Sequence, residues 1–243
     1  MLLRLLSLIT IGSSLALAQA PEAASEPVKP SVKKLDDTRY QIGDVTFDQK
    51  SREIRFPAEV GAPDRTLEFL VVHENGKTYE SLLSTKISAT HLSLAFSLLR
   101  YPQSRELYPL PNGTGGVTDK FPEVAADVKA SARINIDVEW TADGKIHRVP
   151  ANDWVQHSVK TTAMPAGPWV YGGSEFFNGK YVPEMTGDII GILVAPSALI
   201  NYPGKDNDNG NIWTTFAKRI PTAGTPVTVI LTPAQYTQPL AKP

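Results

Sequence analysis

The sequence predicts a β-rich α+β domain whose sheet is mainly antiparallel, with one principal helix at about residues 88–100 and long loops rich in Pro and Gly. Three observations predict it. Residues 131–140 alternate between apolar and polar side chains, the pattern of a half-buried antiparallel strand. Residues 66–73 are apolar on both faces at their centre, which places them inside a sheet. Ser88, a good N-cap, precedes an apolar stripe at helical spacing.

The first 18 residues have the layout of a secretory signal peptide. One positive charge, Arg4, precedes an apolar run that ends in the small-x-small signal of residues 16–18. The run is shorter than the roughly 20 residues that span a bilayer core. We therefore expect export to a bacterial periplasm or cell envelope, with no transmembrane segment after cleavage.

The chain contains no Cys. This excludes a lipoprotein anchor, disulfides, thiol catalysis and Cys-ligated zinc or iron–sulfur clusters, so no cofactor is evident. An exported protein without disulfides fits a bacterial periplasm. The 24 Lys and Arg nearly balance the 25 Asp and Glu, and this gives no indication of nucleic-acid binding.

The chain is predicted to be one domain at residues 39–233, after a flexible tether at 19–38 and before a tail at 234–243. Pro57 marks a strand end or a sheet edge. A long loop is expected at residues 101–129. Further strands are predicted at residues 40–42, 45–47, 53–56, 168–171, 188–194 and 227–232, and a short helix at 152–156.

The dipeptide Asn75-Gly76 predicts a tight hairpin, because both central residues of a type I′ turn need positive φ. A two-residue loop would place His73, Thr78 and Glu80 on one face. His73 and Glu80 would then be diagonal neighbours roughly 7–8 Å apart. If the following helix packs over this hairpin, His91 could approach Glu80.

Several catalytic motifs are present only in part. Residues 76–78 resemble the end of a phosphate-binding loop, but Val71 replaces its first Gly. Residues 172–174 resemble a nucleophile elbow, but Phe176 replaces its closing Gly. The oxygen-rich residues 206–210 lack the Glu of an EF-hand loop and favour a polar turn.

Two blocks of sequence resemble the YdjY-domain family of exported bacterial proteins. The first comprises residues 56–60, 67–72 and 76–83, with His91 and its helix. The second comprises residues 169–174, 187–190, 220–221, 224–228 and 231–233. The resemblance implies export and a shared domain, but no catalytic residue, because the biochemical role of the family is not established. Some members are described as ferredoxin-like, a label that a chain without Cys does not inherit.

The shared blocks contain the polar residues Glu80, Ser81, Ser174 and Asp188. With His73 and His91 they form the candidate site, and whether it binds a metal stays open. These residues are either functional or hydrogen-bonding groups that satisfy buried backbone at sheet ends.

Three functions compete. We favour a non-enzymatic binding or scaffold domain, with an envelope protein as the candidate partner. The alternative is a metal-assisted or acid–base hydrolase that uses His73, Glu80 and His91. A third hypothesis is a protein that binds partners at a sheet edge, guarded by Pro57 and the 101–129 loop.

Overall fold

The computed structural model describes residues 31–234. The predicted signal peptide, most of the predicted tether and nearly all of the predicted tail lie outside these residues. Within the predicted tether, Lys33–Lys34 form a short strand that pairs with residues 40 and 41.

The described chain is built from sixteen strands and three short α-helices. The helices are α1 (Ala89–Leu98), α2 (Ala126–Ser131) and α3 (Val182–Thr186), and two 3₁₀ turns lie at Thr78–Glu80 and Ala151–Trp154. The strands are β1 (Lys33–Lys34), β2 (Arg39–Ile42), β3 (Val45–Asp48), β4 (Ile54–Val60), β5 (Phe69–His73), β6 (Ser81–Thr85), β7 (Arg133–Ala142), β8 (Lys145–Pro150), β9 (Val155–His157), β10 (Trp169–Tyr171), β11 (Phe176–Phe177), β12 (Lys180–Tyr181), β13 (Asp188–Gly191), β14 (Ile200–Asn201), β15 (Trp213–Thr215) and β16 (Pro226–Pro233).

Eight of these strands close into a mixed barrel in the order β4, β16, β7, β10, β14, β13, β5 and β6, and β6 returns to pair with β4. The pairs β5–β6 and β13–β14 are parallel, and the other pairs of the barrel are antiparallel. Strands β1 to β3 extend the sheet beyond β4, and β8 extends it beyond β7. The β-rich prediction is confirmed, whereas the mainly antiparallel sheet is matched only in part, because the barrel and its parallel pairs were not predicted.

The strands of the barrel wall alternate buried apolar side chains with half-buried ones. In β7, Ile134, Ile136 and Val138 are buried while the residues between them are half-buried. On β16, Val229 lies opposite Val138 and Leu231 opposite Ile136, so the two strands present their apolar residues to the same core.

Helix α1 adds its apolar stripe to this core. Its buried residues include Leu92, Ala95 and Phe96, and Leu99 follows them just beyond the helix. The Phe96 ring stacks on that of Tyr171 in β10, with 4.1 Å between ring centroids. Ser88 caps the helix by accepting a hydrogen bond from the backbone N–H of His91, so the helix prediction is confirmed.

Pro57 lies inside β4 rather than at its end. It pairs with Thr228 of β16, so the prediction of a strand end is wrong. On its other side β4 pairs with β3 up to Arg55 and with β6 from Glu59. A residue without an N–H is tolerated between these two partners, because no ladder hydrogen bond is needed there.

Candidate functional site

The predicted hairpin at Asn75-Gly76 does not form. β5 and β6 are parallel neighbours, with Phe69 opposite Ser81 and His73 opposite Thr85. Neither Asn75 nor Gly76 has the positive φ that a type I′ turn requires. The chain instead crosses back along the sheet through the 3₁₀ turn at Thr78–Glu80 before β6 begins. The hairpin prediction is therefore wrong.

This topology separates Glu80 from His73. The backbone N–H of Glu68 donates to the carbonyl of Glu80 at 3.0 Å, so Glu80 lies beside the residue just before β5. His73 ends the same strand, five residues further on, which at a rise of about 3.3 Å per residue is roughly 16 Å along the sheet. Direct catalytic contacts need about 3 Å. The two side chains do not form the predicted pair.

The Glu80 carboxylate has a partner of its own. Its Oε1 atom lies 2.9 Å from Nζ of Lys77, which also lies 3.2 Å from Oε2 of Glu68. The hydrogen bond to Glu80 is the main cause that raises the pKa of Lys77, and Glu68 adds to it. Ser81 next to it is buried, and its Oγ donates to the carbonyl of Lys77 at 2.6 Å. These contacts fasten the crossover to the strand that follows it.

His73 lines a cleft of about 240 Å³ with residues of α1 and α3, including Ala89, Pro183 and Glu184. Its Nδ1 atom accepts a hydrogen bond from the backbone N–H of Asn75 at 3.1 Å. Neither Glu80 nor His91 is among the residues that line this cleft. His91 instead lies over the β2–β3 turn, where its ring closely approaches Gly43.

Glu184 is a residue that sequence reasoning missed. Its Oε2 atom accepts hydrogen bonds from Oγ of Ser88 at 2.9 Å and from the backbone N–H of Thr90 at 2.8 Å. It thus supports the positive N-terminus of α1. No local signal identifies this role, because the carboxylate is supplied by α3, more than ninety residues further along the chain.

Ser174 and Asp188 both bind the segment that leads into β14. The Ser174 hydroxyl lies 3.0 Å from each of the carbonyl oxygens of Pro196 and Ser197, to which it donates. Oδ2 of Asp188 accepts a hydrogen bond from Oγ of Ser197 at 2.5 Å. Oδ1 of Asp188 is buried and has no hydrogen-bond partner within residues 31–234. Ser174 and Asp188 thus hold the loop before β14 against the barrel.

The Gly-Gly pair before Ser174 allows a close approach of the 101–129 loop. The backbone N–H groups of Gly172 and Gly173 both donate to the carbonyl of Leu199. The Tyr108 hydroxyl lies so close to Gly172 that a Cβ there would overlap it. That hydroxyl accepts a hydrogen bond from Nδ2 of Asn201 at 2.8 Å, and burial raises the pKa of Tyr108 to about 12.

A surface groove with a volume of about 700 Å³ lies elsewhere. Its walls come from the segment that precedes β5 and from the two-stranded sheet of β9 and β15. Leu67 N–H donates to the carbonyl of Trp213, and Thr215 N–H donates to that of Arg65, so backbone hydrogen bonds join the walls. The lining residues are Asp64, Arg65, Thr66, Gln156, Thr161, Thr214, Thr215, Phe216, Ala217 and Lys218.

Within residues 31–234, no group of three or more His, Asp or Glu side chains is arranged to hold a metal ion. The helices of this part of the chain are also too short or too polar to cross a membrane.

The structure thus defines a closed mixed β-barrel with a packed interior, in which the candidate polar residues are spread over strand ends, loops and helix α1 rather than gathered in one site. The model of the YdjY domain matches residues 45–232, so the chain belongs to the YdjY-domain family. Neither the curated proteins nor the solved structures contain a significant match to the chain.

Proposed function

We propose that this protein is an exported, non-enzymatic binding or scaffold domain of the bacterial cell envelope. One observation supports this most directly: the polar residues common to the family blocks are occupied in structural contacts. Ser81 closes the crossover before β6, while Ser174 and Asp188 hold the loop before β14. A nucleophile or general base must instead face a substrate within hydrogen-bond reach.

Export is supported by the composition of residues 1–18, and the lack of Cys suits a periplasmic protein. A cofactor that needs Cys ligands is excluded. Envelope proteins are the partners that this location offers.

The experiment uses the protein purified from a periplasmic fraction. Its metal content is measured, and it is assayed with chromogenic ester, peptide and glycoside substrates beside the variants E80Q and D188N. We expect no turnover above the buffer rate and no stoichiometric metal. Turnover that either variant abolishes would overturn the non-enzymatic proposal, and recovery of the precursor in the cytoplasm would overturn the proposed location.

A further inference from the structure

The groove between the segment preceding β5 and the β9–β15 sheet is lined by two cationic side chains and several hydroxyl groups. We propose that it binds a small sugar acid, a ligand with several hydroxyl groups and one carboxylate. This deepens the proposed binding role and rests on it.

The charge of the groove indicates that its ligand is an anion. Arg65 and Lys218 line it, and neither forms an ion pair within residues 31–234. Asp64 is the single carboxylate on the walls, so the lining carries a net positive charge. Two cations without carboxylate partners that face one cavity favour a negatively charged ligand.

A backbone carbonyl orients the Arg65 guanidinium. Its Nη1 donates to the carbonyl of Thr78, which leaves other guanidinium N–H groups as donors. Guanidinium donors form a rigid fork that matches a carboxylate in two parallel hydrogen bonds. Lys218 is exposed and can reach a ligand as a mobile point charge.

The remaining groups suit hydroxyls rather than a bare ion. Thr66 and Thr161 offer hydroxyls that both donate and accept, and Gln156 adds an amide. The Thr214 hydroxyl donates to the carbonyl of Gln156 at 3.4 Å and can still accept. The Thr66 and Thr161 hydroxyls form no hydrogen bond to any residue of the described part of the chain. Both residues are exposed, so these hydroxyls are accessible from the groove. A ligand with several hydroxyl groups would use these unpaired groups.

The size and shape fit a small ligand. Binding sites for small molecules have volumes of about 300–1,000 Å³ and combine apolar walls with a few polar groups. The groove lies within this range, and Phe216 supplies an aromatic wall, with the Arg219 guanidinium 4.3 Å from its ring centroid. Asp64 and Thr161 both adopt positive φ, as residues at binding loops often do.

The test is calorimetric titration of the purified protein with glucuronate as the probe. Glucose, which lacks the charge, and acetate, which lacks the hydroxyls, are titrated in parallel. We expect saturable binding of glucuronate and at least about tenfold weaker binding of the other two, since each loses one class of contact.

Two variants and a matched control locate the binding. K218M removes one cation and T66V removes one hydroxyl, both at exposed positions. Each should weaken glucuronate binding about five- to tenfold. K145M, on exposed β8 outside the groove, should leave it unchanged.

Absence of saturable glucuronate binding would overturn the proposal, as would glucose or acetate binding as tightly as glucuronate, or equal affinities of K218M and K145M. Turnover of substrates, measured separately, tests the non-enzymatic role. A protein that neither binds glucuronate nor turns over substrates would therefore contradict the sugar-acid proposal and leave the proposed function standing.

Discussion

Ser197 donates a hydrogen bond from its Oγ to Oδ2 of Asp188 at 2.5 Å, and this bond joins the start of β13 to the loop that leads into β14. The carboxylate is buried, and its other oxygen has no partner within residues 31–234. Ser197 is therefore the hydroxyl on which a buried charge depends, and hydrogen bonds to charged groups are among the strongest in proteins.

Substitution of Ser197 by Ala should lower the free energy of unfolding by about 1.5–3 kcal/mol, because the Asp188 carboxylate would lose its side-chain partner. Urea unfolding followed by tryptophan fluorescence measures this. Ser97→Ala, on the exposed face of α1, is the matched control and should change stability by less than about 0.5 kcal/mol. Equal effects of the two substitutions would contradict the role assigned to Ser197.

The type I′ Asn-Gly turn of this protein lies between β11 and β12, at Asn178 (φ 48°) and Gly179 (φ 74°). Asn178→Ala should destabilise this hairpin by about 1 kcal/mol, because Ala tolerates positive φ less well than Asn. The amide exchange of Val182, whose N–H donates to Glu175 across the base of the hairpin, should become roughly fivefold faster.

Asn75→Ala is the matched control for this prediction, because Asn75 precedes a Gly but does not adopt positive φ. It should leave both the exchange of Val182 and global stability unchanged. If Asn75→Ala destabilised the protein more than Asn178→Ala, the assignment of the two turns would be wrong.

A comparison of Asn75-Gly76 with Asn178-Gly179 also shows what could be predicted from the sequence. Local pattern predicted the helix at Ala89–Leu98 and the strands around Phe69–His73 and Pro226–Pro233, because burial on one face determines their periodicity. It did not predict that β5 and β6 would be parallel. Strand partners are chosen by long-range packing, and the dipeptide signal at residues 75–76 was overridden there.

The same limit applies to the candidate site. Ser174 and Asp188 were found through a family resemblance, and their contacts with the loop before β14 became visible only in the fold. Glu184 and the groove residues Arg65 and Lys218 were missed. Single charged residues carry no periodic signal, and the partners of Glu184 are more than ninety residues away in sequence.

Glu106 anchors the 101–129 loop to the barrel through a nearly buried ion pair. Its side chain is 8% exposed, and Oε1 lies 2.7 Å from Nη2 of Arg133 in β7, while Lys129 lies 3.5 Å from Oε2. Arg133→Met should lower the free energy of unfolding by about 3 kcal/mol, since it leaves a buried carboxylate without its main partner. Lys129→Met, at the longer and more exposed contact, should cost less than about 1 kcal/mol.

Chemical denaturation of both variants measures the difference, and added salt gives a second check. A buried pair is screened little, so the cost of Arg133→Met should persist at about 1 M salt. If the loss of unfolding free energy in Arg133→Met disappeared at high salt, or equalled the loss in Lys129→Met, the Glu106–Arg133 pair would behave as a surface contact.

Buried tyrosines predict loss of stability at alkaline pH. Burial raises the pKa of Tyr108 to about 12, and it also raises the pKa values of Tyr101, Tyr171 and Tyr181 above the ordinary value of 10.0. The unfolded chain therefore loses these protons at lower pH than the folded protein does. Their contribution to stability is complete below about pH 10 and is lost as pH rises from there towards 12 and beyond.

Urea midpoints measured across this range should be constant up to about pH 10 and should then fall. Tyr108→Phe should be less stable at neutral pH, since Asn201 loses a partner, yet it should lose less stability between about pH 10 and 12, because one titrating hydroxyl is gone. Tyr79→Phe is the control, as Tyr79 is 68% exposed, and its alkaline loss should match that of the wild type. If Tyr108→Phe and Tyr79→Phe gave the same alkaline slope, the Tyr108 hydroxyl would not be among the groups that couple stability to pH.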